Sequence, residues 1–296
     1  RNAVSDFANN LKSIVGGELG GYTKMQAQTR EQALTRMQDD ALAMGANAVV
    51  SVRFDASSIT VSAPISTSST NHFTLISDTS ATISNSITSS GAISIYGHDL
   101  NIASNLDSSS GNGDITLSAS GTLTMGSGAN STIRSGSGDI NLITEMPVFD
   151  GGASYTTSIT TTGHLTLRPY ETNLDGFVDG STGTGTQIEF AGDVSGDTFT
   201  ASASDISGLV ITNLSTLGGL TIGSDDDYIN SVNLSSPYSG SRVRFEINSG
   251  NFAISGPLTI YGYDVTFAGS ISTQTGGVFS KAGNLITALS NTSITT

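Results

Sequence analysis

The sequence predicts a mainly β chain: a right-handed parallel β-helix, or solenoid, preceded by a small N-terminal α/β module. Three observations carry this reading. Composition steps sharply near position 57, strand-like alternations recur at a nearly fixed period, and glycine stands just before many of them. Positions 1–57 hold six basic and six acidic side chains, whereas 58–296 hold five basic and nineteen acidic, the whole of the net −14. Ser and Thr together number 7 in the first stretch and 78 in the second. Two modules with different physics meet between Asp55 and Thr60, giving domains 1–57 and 58–296.

Within the first module, Ser5 to Ile14 reads as a short helix. Ser5 caps it, Asp6 suits the positive end of the dipole, and Phe7, Leu11 and Ile14 share a face. Gly16-Gly17 and Gly20-Gly21 break the chain twice. They do not form the G-x-G-x-x-G pattern of a phosphate loop, so they read as a packing turn. A longer helix spans about Thr23 to Met44, with Leu34, Met37, Ala41 and Met44 as its apolar stripe and Gly45 at its end. Ala48 to Phe54 then reads as a strand. Asp6-Phe7, Ile14 to Tyr22 and Met44 to Asp55 resemble the YbjQ-like family of small cytoplasmic ring-forming pentamers, labelled heavy-metal-binding. The family has two strands before this region and one after it, and the closing strand is not recognisable here. The stretch 1–57 also contains no His and no Cys, so a soft-metal site there would lack ligands.

From Thr60 onward, short alternations are separated by Gly, Asn, Asp and Ser. The clearest begin at Ile93, Ile115, Ile140, Leu165, Ile188, Leu220, Val243 and Leu258, and the first five are almost evenly spaced. A fixed period of strand-like text is the signature of stacked coils. Gly91, Gly113, Gly138, Gly163 and Gly219 precede strands, as a corner with torsions open to glycine would require. One repeat is nearly literal: Gly91-Ala-Ile-Ser-Ile-Tyr-Gly-His-Asp-Leu-Asn-Ile-Ala recurs as Gly256-Pro-Leu-Thr-Ile-Tyr-Gly-Tyr-Asp-Val-Thr-Phe-Ala. Ile93, Ile95, Ile115, Leu117, Ile140, Leu142, Leu165, Leu167, Leu258 and Ile260 are expected to face a common core. Eight to ten coils would make a rod about 40–50 Å long at about 4.8 Å per coil. The text is similar to the β-helix shaft of filamentous-haemagglutinin-type adhesins. It lacks the Asn-Pro-Asn-Leu motif of their secretion domain, so the resemblance implies shaft.

Composition excludes several chemistries. No Cys is present, which removes disulfides, thiolate metal sites and cysteine nucleophiles. No apolar run approaches the roughly 18 residues of a membrane helix. Net −14 disfavours nucleic acid. His72, His98 and His164 are scattered, and His98 takes the slot of Tyr263 in the second copy, which marks a surface turn. No Gly-x-Ser-x-Gly elbow occurs. Asp225, Asp226 and Asp227 are the calcium candidates, although they lack the spacing of a calcium loop. For a polysaccharide lyase or glycosidase, Glu189, Asp193 and Asp197 are the best carboxylates, with Arg168 or Arg242 to neutralise a uronate. Few basic residues and no Trp weigh against that chemistry. A regular one-face Thr ladder, which ice binding needs, is not visible in the text.

These features lead to the expectation of a non-enzymatic, extracellular or cell-surface, structural or adhesive protein without cofactor. Its partners would be host-cell or matrix glycans or proteins, or further copies of itself. The alternatives are a β-helical polysaccharide enzyme and an oligomeric scaffold assembled by the N-terminal module.

Overall fold

A computed structural model describes Gln32 and residues 58–67, 72–149, 155–168, 170, 187–202, 206–224 and 242–296. The chain divides into two units, Arg1–Val49 and Val50–Thr296. Gln32, inside the expected long helix, is helical. The other expected N-terminal elements lie outside the described residues. The second unit is a parallel β-solenoid.

Its first face stacks eight strands. In order they are β3 (Phe73–Ile76), β6 (Ile93–Gly97), the starts of β9 (Ile115–Met125) and β11 (Ile140–Val148), β13 (His164–Arg168), β17 (Gly219–Ile222), and the starts of β19 (Leu258–Thr273) and β20 (Val278–Ala288). All seven pairings between them are parallel. The register aligns Phe73, Ile93, Ile115, Ile140, Leu165, Leu220, Leu258 and Val278 in one column. Seven spacings of about 4.8 Å set the outer rungs about 34 Å apart, and eight rungs stand at the lower end of the expected eight to ten coils.

A second face carries β1 (Ser58–Val61), β4 (Ser80–Ile83), β7 (Asp99–Ile102) and the later parts of β9 and β11. Further along, β14 (Gln187–Ser195), β18 (Arg242–Ile254) and the later parts of β19 and β20 stack in parallel. A third face is built from β2 (Ile65–Thr67), β5 (Ile87–Ser89), β8 (Leu106–Asp107), β10 (Ser131–Gly136), β12 (Thr157–Thr161) and β16 (Leu209–Thr212). The end of β18, the end of β19 and β21 (Ser293–Thr295) form a further parallel stack.

Alternation explains the core. Residues two apart on a strand point the same way, and all ten expected inward residues are 0–4% exposed. Burying each apolar side chain contributes roughly 1.5–3 kcal/mol, and stacking repeats that gain on every rung. The two copies of the literal repeat occupy equivalent rungs. The first is split into β6 and β7, whereas the second is the continuous β19 with a register shift between Gly262 and Asp264.

The structure corrects two expectations. Ile188 and Val243 are not rungs of the first-face column, for they pair with each other and Val243 with Val265. Leu165 is instead followed directly by Leu220. The intervening chain includes β14 and β15 (Thr198–Ala201), an antiparallel pair with β15 also antiparallel to β16. Sequence distance alone made Ile188 look like the next rung. Phe190, Phe199, Phe245 and Phe252 fill the core here, with Phe190 stacked at 4.7 Å on Phe199 and 5.1 Å on Phe245.

The second correction concerns the corner glycines. Gly113, Gly138 and Gly163, with Gly218 and Gly256 at the same corner of later rungs, do not have positive φ, whereas the expected Gly219 does, at 158°. Space is what requires those five. A Cβ on Gly138 would lie 2.5 Å from the Gly113 carbonyl oxygen, and each of the other four would meet the preceding rung's backbone inside 3.0 Å. Buried hydroxyls fasten the same corner. Ser135 Oγ donates to the Gly138 carbonyl at 2.6 Å, Thr161 Oγ1 donates to that carbonyl at 2.7 Å, and the Gly163 N–H donates to Thr161 Oγ1 at 2.8 Å.

Gly138→Ala should therefore destabilise the solenoid by about 1–3 kcal/mol through overpacking, seen as a lower urea midpoint. Ile95→Ala, which opens a cavity at a fully buried position, should cost about 2–5 kcal/mol in the same titration.

Candidate functional site

Outward positions of a solenoid also stack, so each face presents columns as well as single residues. On the first face the register aligns Thr74, Ser94, Thr116, Asn141, Thr166, Thr221, Thr259 and Phe279. This ladder is invisible in the text because its steps are uneven. The step from Thr166 to Thr221 is more than twice that from Thr74 to Ser94, and only register aligns them. Its flanks are unlike one another: Ile76, Tyr96 and Ser118 stack on one side. The face is thus a single polar row, not the matched rows an ice lattice needs.

The expected carboxylates are each engaged. Glu189 lies opposite Arg244 in the β14–β18 pairing. Arg244 Nη1 sits 3.4 Å from Glu189 Oε1, and Nη2 sits 2.5 Å from Glu246 Oε2. These groups are partly exposed, so each pair contributes at most about 1 kcal/mol. Asp193 Oδ1 accepts a hydrogen bond from Ser249 Oγ at 2.6 Å. Asp197 caps the turn Leu214–Thr216: its carboxylate accepts the Ser215 N–H at 2.5 Å and Ser215 Oγ at 3.0 Å. Four residues along a strand separate the Glu189 and Asp193 backbones by about 13 Å. Paired glycosidase carboxyl groups stand roughly 5–9.5 Å apart. Arg168 is partly exposed at the end of β13. The cation beside Glu189 is Arg244, a residue the sequence does not single out. The Arg242 side chain and Asp225, Asp226 and Asp227 lie outside the described residues.

The histidines serve the corners. His72 Nδ1 accepts the Ala92 N–H at 3.1 Å, and His98 Nδ1 lies 3.0 Å from Ser120 Oγ. His98 is exposed, as its exchange with Tyr263 suggested. His164 belongs to a rung-to-rung chain. The Asp139 N–H donates to Asp114 Oδ1 and the His164 N–H to Asp139 Oδ1, both at 2.8 Å. His164 Nε2 then lies 2.7 Å from Thr221 Oγ1. Its ring packs where a Cβ on Gly219 would stand. Burial pushes the imidazole below its usual range, and the Asp139 carboxylate offsets part of that. The Gly-Asp-Ile text at Gly113 and Gly138 signalled this chain, but only as a corner. Among the described residues no group of three or more His, Cys, Asp or Glu could hold a metal ion, and no helix is long and apolar enough to cross a membrane.

Residues 1–71 match a family described as "Putative heavy-metal-binding", YbjQ_1. That match runs through β1 and β2. The UPF0145 protein of Lactobacillus johnsonii is 52% identical over 59 residues, 20% of this chain and 55% of that protein. UPF0145 protein YjfJ of Lactococcus lactis is 51% identical over 57 residues, 19% of this chain and 53% of that protein. The UPF0145 protein of Acidothermus cellulolyticus is 51% identical over 59 residues, 20% of this chain and 55% of that protein. The chain thus spans about half the length of the curated relatives it matches. No solved structure matches the chain.

Because the folded pKa of His164 lies below the unfolded value of 6.5, the unfolded chain binds the proton more readily. The contribution of this group is complete above pH 6.5 and is lost as pH falls from there through the folded value. The melting temperature should decline between pH 7.5 and 5.5, and His164→Gln should flatten that decline.

Proposed function

We propose that this chain is a non-enzymatic structural or adhesive protein of the cell exterior, in which the solenoid acts as a shaft of the filamentous-haemagglutinin type. Its partners are host-cell or matrix glycans or proteins, met along the outer columns. The observation that carries the reading is the unbroken eight-rung column, seven rungs of which, from Thr74 to Thr259, carry hydroxyl or amide side chains in one outward row. Such a stack is stiff, because bending it would part parallel ladders and buried columns together. Its polar row offers many weak contacts at regular spacing, a geometry suited to extended polymers.

Two other readings each have an observation in their favour. The Glu189–Arg244–Glu246 group brings two carboxylates together on an outer face, the residue type a glycosidase would use. An oligomeric scaffold assembled by the N-terminal module rests on the resemblance of that module to ring-forming proteins, with residues 1–71 matching the family.

Incubation with a panel of acidic and neutral polysaccharides separates shaft from enzyme. The proposal expects retention of some polymers without cleavage. Release of unsaturated or reducing ends, lost on Glu189→Gln or Arg244→Ala, would overturn it.

A further inference from the structure

Polar side chains of this solenoid fall into two sets. Those at the corners serve the fold: Asn105, Asn112, Asp114, Asn130 and Asp139 each accept a backbone N–H from the following rung. The outward row of the first face does not. Of its seven polar residues from Thr74 to Thr259, only Thr221 has a hydrogen-bond partner among the described residues, His164. The other six keep their donors and acceptors for a ligand. One edge of the row is apolar and aromatic. The register aligns Ile76, Tyr96, Ser118, Ile143 and Arg168 beside it, and Ile76 and Tyr96 are each 38% exposed. Tyr96 belongs to the second of the eight rungs, so its exposure does not come from an end of the stack. The second copy of the repeat sets Tyr261 at the same position beside Thr259, about 24 Å from Tyr96 at five rung spacings. Neither the row nor this edge holds a carboxylate, whereas exposed Asp114 and Asp139 line the opposite edge, two residues before Thr116 and Asn141.

We propose that this strip binds an extended, β-linked, uncharged polysaccharide, which lies along the row with the apolar faces of its sugars on Tyr96 and Tyr261. The inference deepens the shaft reading and rests on it. Shape selects the linkage. An extended β-linked chain is straight and flat, and its pyranoses repeat at close to the rung spacing of about 4.8 Å, whereas α-linked glucans coil away from a straight row. Chemistry selects a sugar. A pyranose has an apolar C–H face, which suits an aromatic ring, and equatorial hydroxyls, which suit Thr, Ser and Asn. Charge selects an uncharged one. Arg168 is the one cation of that aligned edge, set against Asp114, Asp139 and a net −14, so a chain of uronates or sulfates meets repulsion.

The test is retention of the full chain on beads that carry glucomannan, with dextran as the α-linked control and hyaluronan as the β-linked acidic one. Glucomannan should retain the wild type best. Tyr96→Ala and Asn141→Ala should each weaken that retention at least fivefold with an unchanged circular dichroism melt, and Thr82→Ala, on the second face, should leave it alone. Equal or stronger retention on dextran or hyaluronan overturns the proposal, as does retention on glucomannan that neither variant weakens, or none at all. The chain has no Trp, so Tyr96→Trp gives a second readout that does not depend on the folding of a weakened variant. Its emission should shift to the blue on adding cellohexaose and stay fixed on adding maltohexaose; no shift with cellohexaose contradicts the strip. The two readings fail separately, since release of reducing ends overturns the shaft, whereas retention indifferent to Tyr96 and Asn141 overturns the strip alone.

Discussion

The closest constraint in the molecule is the contact of a corner glycine with the backbone of the rung before it. Parallel strands repeat at about 4.8 Å, and at this corner that spacing leaves no room for a side-chain carbon. Gly113, Gly138, Gly163, Gly218 and Gly256 meet the condition in turn. Because each corner fixes where the following strand starts, it also fixes which residue of that strand lies over which residue of the last. Register then decides everything else, since a slip of one residue would turn every inward Ile and Leu to water. Buried hydroxyls at Ser135 and Thr161 reinforce the choice by bonding the glycine backbone from inside.

A fold held this way tolerates interruption between rungs better than within them. The chain leaves the first face after Arg168 and returns at Gly219, yet Leu165 and Leu220 stack as if adjacent. Part of the excursion is the β14–β15 pair, and its Phe190 and Phe199 are fully buried with Phe245 and Phe252. The outer surface carries the same logic. Thr, Ser and Asn can stack at close spacing without the repulsion that like charges would incur. This accounts for a charged fraction of only 12%, and it leaves the few charged residues with local partners, as at Asp197 and Arg244.

The inward columns were legible in the sequence because alternation and period are local signals, and Ile95 and Ile260 faced inward as their text implied. The role of glycine was legible only in part. Its position before each strand was evident, but torsional freedom and lack of space leave the same mark, and only the neighbouring rung tells them apart. Ile188 misled for a related reason. It follows Leu165 at the interval of the earlier rungs, while its true neighbour, Val243, stands more than twice as far along the chain. The site was less legible still. Glu189 was named from its residue type, but its partner Arg244 is adjacent only through the β14–β18 register. The polar row on the first face, spread from Thr74 to Thr259, has no local signal at all.

The most direct test of the stack is the distance between spin labels at Thr74 and Thr259, two members of that row. The chain has no native Cys, so Thr74→Cys/Thr259→Cys can be labelled without background. Six rung spacings separate the positions, which places their backbones about 29 Å apart. A narrow distribution centred within the reach of the label tethers from that value is the predicted result. If the chain between Leu165 and Leu220 added two further coils to the column, the separation would lengthen to about 38 Å. A peak there, or a broad distribution without a peak, would contradict the eight-rung stack.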